Sequence, residues 1–329
     1  MLMNKRTAVF GVLVLVGSLS ACQKQDTNQH PQNTEQTSAS AVSDATLTLQ
    51  GETEKLQLNL PECDGNSCPE FSVDRLHTNQ LVVDKTIDQA ILQHLEQILE
   101  ISNQSKVIQT ETDQEPRKRE HADQQQQASV TLQNNHAIKT PAEQMAEQVQ
   151  PYLTAFLALD QELKKIGASN KINIMVSPKI LNADGPLVTV VLNTSSYLGG
   201  AHGSSSQTYY NFDLKQQKQM TLDDVLLPNQ KANLDKLAYQ AFKTWVADAK
   251  LAENIADYEQ VWKFILSKNF YLGQKSLILQ YGEYEIGPYV VGLPRLEIPY
   301  AQLQNILKKQ YLPEKVQVVD TATEKKTQS

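Results

Sequence analysis

The stretch from Ser195 to Leu226, SSYLGGAHGSSSQTYYNFDLKQQKQMTLDDVL, does most to limit what this chain can fold into. Gly199, Gly200 and Gly203 surround a lone His202 and free the backbone for conformations that a β-carbon resists. Tyr210, Phe212 and Leu214 then alternate along one face of a strand, followed by a polar turn over Lys215 to Lys218. Thr221 with Asp224 three residues later matches a helix-capping pattern, with Asp in place of the usual Glu. A strand-like run, Leu187 to Leu192, leads into this stretch. Strand, turn, strand and helix start in immediate succession predict an α+β fold in which antiparallel sheets pack against helices.

Downstream, Leu234, Leu237, Ala238, Ala241, Phe242 and Trp245 form the apolar stripe of a helix over about Lys231 to Lys250. A shorter helix is expected from Tyr258 to Leu266, strands at Phe270–Leu272 and Ser276–Tyr281, and an extended segment from Glu283 to Val291. Leu303, Ile306 and Leu307 predict a closing helix. Upstream, Leu47 and Leu49, then Leu56, Leu58 and Leu60, predict two half-buried strands, and Phe71, Val73 and Leu81 to Val83 predict more strand. Ile87, Ala90, Ile91, Leu95, Ile98 and Leu99 follow helical spacing, with Asp84 or Thr86 available as a cap. A second helix runs through Met145, Val149, Leu153, Phe156 and Leu163 to about Gly167, and Ile172, Ile174 and Val176 predict a strand. Between the two helices lies a glutamine-rich, solvated insertion at about 103–139.

These patterns divide the 329 residues into an export signal (1–21), a polar tether (22–45), an N-terminal α+β subdomain (46–205), a C-terminal one (206–312) and a tail (313–329). Lys5 and Arg6 precede an apolar run from Ala8 to Val16, too short for a comfortable bilayer crossing. Leu19-Ser20-Ala21-Cys22 resembles the lipobox of bacterial lipoproteins, which implies that Cys22 becomes the acylated first residue. The same resemblance, with Gln23 and Lys24 following, implies the outer membrane facing the periplasm. Multiple acyl chains, at ~0.8 kcal/mol per buried methylene, anchor a protein without a spanning helix. Cys63 and Cys68 flank a turn-forming Asp-Gly-Asn-Ser. In an oxidising compartment they are expected to close a disulfide worth about 2 kcal/mol. A metal site would need further ligands, and a redox pair would have two intervening residues. The net charge of −7, which becomes −9 once Lys5 and Arg6 are removed, excludes nucleic acid as the natural partner.

Three features together resemble one bacterial family. They are the Cys63–Cys68 segment, the turn Tyr197-Leu198-Gly199-Gly200-Ala201-His202-Gly203 running into Asn211-Phe212-Asp213-Leu214, and the ending Tyr284-Glu285-Ile286-Gly287-Pro288-Tyr289 to Ile298-Pro299-Tyr300. The family comprises the extracytoplasmic domains of unknown function of RsiV-like anti-sigma factors, which sense lysozyme, and of PdaC-like peptidoglycan deacetylases. The resemblance spans roughly 46–312 without the insertion and implies an α+β fold. Sigma-factor binding and deacetylation do not carry over, because the segments responsible for them have no counterpart here.

His202, Ser204 to Ser206 and Asp213 contain the residue types of a nucleophilic triad, but neighbours on one loop-to-strand passage seldom reach triad geometry. The five other histidines have no ligand spacing. The expectation is therefore a protein that is not an enzyme, with no cofactor or metal. It would bind a protein or a cell-wall component, with Tyr197, Gly199, Gly200, His202 and Gly203 as a binding or structural turn. The alternatives are an envelope hydrolase working through His202 and a lysozyme-binding protective protein.

Overall fold

The computed structural model describes residues 47–63, 68–100, 139–168 and 170–313. The expected signal peptide, Cys22, the tether, the glutamine-rich insertion before Lys139 and the tail beyond Pro313 lie outside them. Six strands form one sheet in sequence order: β1 (Gly51–Lys55), β2 (Glu70–Thr78), β3 (Asn173–Asn182), β4 (Val188–Tyr197), β5 (Ser204–Asp213) and β6 (Lys218–Met220). Every pairing is antiparallel except β2 with β3. That parallel pair needs a long crossover, supplied by helices α1 (Leu81–Leu99) and α2 (Pro141–Lys165). Val83, Ile87, Ile91 and Leu95 of α1 and Met145, Val149, Leu153 and Phe156 of α2 bury against Phe71, Val73, Ile174 and Val190. Each such side chain contributes roughly 1.5–3 kcal/mol by leaving water.

Two upstream expectations are corrected. Leu81 to Val83 begin α1 rather than extending a strand. The buried Asp84 carboxylate accepts from the Thr78 amide at 2.9 Å and hydroxyl at 2.6 Å, turning the chain out of β2 and into the helix. Neither Asp84 nor Thr86 is the N-cap; Gln80 occupies that position without a side-chain bond. The first strand, likewise, is not either leucine run but the polar Gly51–Lys55 between them, exposed throughout, with Leu49 and Leu56 buried at its ends. As an edge strand it carries charge instead of apolar alternation. Cys63 and Cys68 form a disulfide, with α-carbons 5.8 Å apart.

The second sheet has three antiparallel strands, β7 (Phe270–Leu272), β8 (Ser276–Gln280) and β9 (Arg295–Pro299), in that order. Helix α3 (Leu222–Val225) starts at the anticipated Thr221–Asp224 capping box. The Lys218 ammonium, with those bonds, holds the Asp224 pKa down at about 2. Helix α4 (Lys231–Asp248) inserts Leu234, Ala238, Phe242 and Val246 into a core with Leu277, Leu279, Leu296 and Ile298. The expected helix at 258–266 is instead a single turn, α5 (Ile255–Tyr258), capped by Asn254. The extended segment expected at 283–291 is a folded loop with a 3-10 turn at Tyr289–Val291. The closing helix is replaced by 3-10 turns at Tyr300–Gln302 and Lys309–Tyr311, because Leu307 bridges to Leu226 as an isolated strand pair.

The large sheet runs straight through the boundary expected at 205/206, since β5 pairs with β4 from Ser204 to Phe212. Strand β6 covers only Asn211 to Asp213 of the other β5 edge. Side chains from loops around the second sheet cover part of the rest. Asn269 accepts from the Tyr209 amide at 2.8 Å and donates to the Gln207 carbonyl at 2.7 Å, as a neighbouring backbone would. Asn211 donates to the Phe270 carbonyl at 2.7 Å, and the Tyr209 and Tyr271 rings stack at 4.4 Å.

Candidate functional site

The β4–β5 turn meets the loop from 282 to 291 where β5 begins. Gly199 sits at φ +89°, and a β-carbon there would lie 3.0 Å from Leu163 Cδ1. At Gly203 it would lie 3.0 Å from the Ser196 carbonyl oxygen. Gly200 carries no such requirement, since its φ is ordinary and the nearest atom is 4.0 Å away; the expected demand for glycine at this position is corrected. The Tyr197 hydroxyl accepts from Asn170 at 3.0 Å, tying the turn to the loop after α2.

His202 is exposed, and both of its ring nitrogens are engaged. Nδ1 lies 2.9 Å from the Gly203 carbonyl, which only accepts, so Nδ1 carries the proton. Nε2 is then the acceptor for the Tyr284 hydroxyl at 2.9 Å. The imidazole stacks on Tyr289 at 3.9 Å, and the Tyr289 hydroxyl donates to the Gly203 carbonyl at 3.0 Å. Tyr284 lies 5.8 Å from the Tyr289 ring and 6.4 Å from that of Trp262, so four rings form a ladder across the turn and loop.

Tyr284 holds a left-handed backbone, φ +61°, which is unusual for a bulky residue and costs about 1–2 kcal/mol. Its surroundings impose it. Glu285 accepts from the Gly282 amide at 2.7 Å, Ile286 is fully buried, and the Tyr258 hydroxyl donates to the Ile286 carbonyl at 3.0 Å. Burial pushes the Tyr258 pKa up, which keeps this donor protonated. A β-carbon on Gly287 would stand 2.8 Å from the Tyr258 oxygen, so the loop also needs glycine there.

The Ser-His-Asp set does not assemble. Asp213 accepts from the Lys215 and Gln216 amides in the turn after β5, and Ser206 pairs with Thr194 at 2.7 Å. Glu283 instead takes Ser204 and Ser205. Its carboxylate accepts from the Ser205 amide at 2.9 Å, the Ser205 hydroxyl at 2.7 Å and the Ser204 hydroxyl at 3.0 Å. Serine hydroxyls on a carboxylate therefore lie beside a tyrosine–histidine pair on one exposed face. Among the described residues no three His, Cys, Asp or Glu side chains converge on a metal position. Glu283 and Trp262 were missed as site residues, although the stretch from Tyr284 to Tyr289 had stood out as a family marker.

Residues 223–301 match the family described as "Protein of unknown function (DUF3298)". The matched segment includes Trp262, Glu283, Tyr284 and Tyr289, while His202 lies before it. The sequence is 27% identical over 149 residues to the peptidoglycan-N-acetylmuramic acid deacetylase PdaC of Bacillus subtilis strain 168, covering 44% of this chain and 30% of that protein. A DUF3298 family protein of Pseudomonas aeruginosa PAO1 shares the fold at TM-score 0.54 and 23% identity, over 82% of this chain and 98% of that one. A second, from Bacteroides fragilis NCTC 9343, does so at 0.51 and 18%, over 80% and 96%. The resemblance to the PdaC-like family and the α+β class are thus borne out. The expectation that the chain is not an enzyme is corrected, because the relative with a named activity is a deacetylase and so points toward catalysis.

Proposed function

We propose that this protein engages the glycan of the bacterial cell wall on the ladder formed by Trp262, Tyr284, His202 and Tyr289. The observation that carries the reading is Tyr284, a half-exposed aromatic held in a costly backbone conformation and flanked by stacked rings. Aromatic faces carry partial negative charge and pack against the C–H faces of sugar rings, while Glu283, Ser204 and Ser205 offer polar partners for hydroxyl and acetamido groups. The deacetylase relative supports peptidoglycan as the class of glycan. Export, acylation at Cys22 and a place on the outer membrane facing the periplasm belong to the same proposal. A fatty-acid probe labelling wild type but not Cys22→Ala supports them, and equal labelling of both counts against them.

Co-sedimentation with insoluble peptidoglycan tests the binding. Wild type pellets, and the double variant Tyr284→Ala/Tyr289→Ala stays in the supernatant at unchanged thermal stability. Equal pelleting of the two would overturn the reading. The pairing of Glu283 with two serines beside the tyrosine–histidine pair favours a second reading, hydrolysis on the same glycan. Acetate released by wild type but not by His202→Ala would establish it.

A further inference from the structure

We infer that the outer edge of β9, with the flank of α4 beside it, is a docking groove for an extended, basic peptide. This inference is independent of the glycan ladder. Strand β9 is the terminal strand of its sheet. The Tyr281 amide bonds to the Pro294 carbonyl and the Tyr300 amide to the Lys275 carbonyl, which sets the alternation. Leu296 and Ile298 accordingly turn their backbone groups to β8, while Arg295 and Glu297 turn both N–H and C=O outward. Pro299 adds a carbonyl without an N–H, as edge positions allow. A groove of about 630 Å³ lies along this edge, walled by Leu237, Ala241 and Trp245 at four-residue spacing on α4. Its two walls are the two things an added strand requires: a free backbone ladder, and apolar surface for alternate side chains.

A second copy of the chain does not fit. Helix α4 packs chiefly over β9 within its sheet. Symmetric edge pairing would place the partner's helix on the same face, one strand spacing of ~4.8 Å away, whereas packed helices stand about 8–10 Å apart. A single extended chain has no such helix. Charge then selects its composition. Glu297 and Asp248 border the groove and, among the described residues, form no ion pair. The Arg295 guanidinium is already held by Gln280 at 2.7 Å and Gln207 at 2.6 Å. The occupant is therefore a strand whose apolar residues face α4 and whose alternate residue, opposite Glu297, is lysine or arginine.

The probe is a fluorescein-labelled five-residue peptide alternating valine and lysine, titrated into the full chain by anisotropy. Wild type binds it, Glu297→Lys weakens binding by about tenfold or more, and a valine–glutamate peptide fails to bind. A version N-methylated at alternate amides, which cannot donate to the edge, also loses at least about tenfold if strand addition is the mode. Undiminished binding of the methylated peptide, or no binding at all, would overturn the inference. So would sedimentation equilibrium showing a dimer that Glu297→Lys dissolves, which makes the occupant a second copy. A carbodiimide cross-link within one chain from Glu297 to a lysine beyond Pro313 would assign the groove to the chain's own tail and equally overturn it.

Discussion

The Tyr284 hydroxyl donates to Nε2 of His202 at 2.9 Å across 82 positions of sequence. The bond joins a turn of the six-stranded sheet to a loop of the three-stranded one, and together with the contact of Nδ1 to the Gly203 carbonyl it engages both ring nitrogens.

Tyr284 should separate strain from recognition. Tyr284→Gly and Tyr284→Ala remove the same ring, yet only glycine accepts φ +61° without penalty. Chemical denaturation should find the glycine variant more stable than the alanine variant by about 1 kcal/mol, with both failing to pellet with peptidoglycan. Equal stabilities would mean that the loop relaxes and that the conformation is not imposed.

In the β4–β5 turn, Gly199→Val should cost about 1–3 kcal/mol, because φ +89° and Leu163 both oppose a side chain. Gly200→Ala should stay within about 0.5 kcal/mol of wild type. Thermal melts of the two variants check the contrast.

Asn269→Ala should strand the Tyr209 amide and the Gln207 carbonyl at the β5 edge, costing about 1–3 kcal/mol. Hydrogen exchange would show the Tyr209 amide losing protection ahead of β4. Unchanged protection would mean that another group covers that edge.

Burial lowers the pKa of His94, on α1, below its ordinary 6.5. The unfolded chain therefore takes up this proton first as pH falls. Well above pH 6.5 the residue is neutral in both states and adds no pH dependence. Below that, stability declines until the folded pKa is reached and then levels off. His94→Gln should flatten the decline in urea midpoints between pH 7 and 5, and an unaltered slope would assign it to other groups.

Local signals were legible in the sequence. The Thr221–Asp224 capping box needs only four residues, and the stripes of α1, α2 and α4 need only helical spacing. Features set by distant partners were not. Leu81 to Val83 read as strand because the decisive contact is Asp84 reaching back to Thr78. The edge strand β1 has no apolar face to betray it. At the site, the glycine turn and His202 stood out, but Glu283 reaches Ser205 across 78 positions, and no spacing within either segment reveals that. Trp262 fell within the helix expected at 258–266, and only the folded loop puts its ring against Tyr284.

A backbone ladder is indifferent to side-chain identity, whereas the closure of the β5 edge depends on Asn269 and Glu283. Substitutions at these two positions therefore act on self-association as well as on stability. They would uncover the Ser205 and Tyr209 amides and the Gln207 carbonyl, to which a strand from another molecule could add. At high concentration such variants should aggregate while their cores remain folded, so the edge sets a limit on solubility.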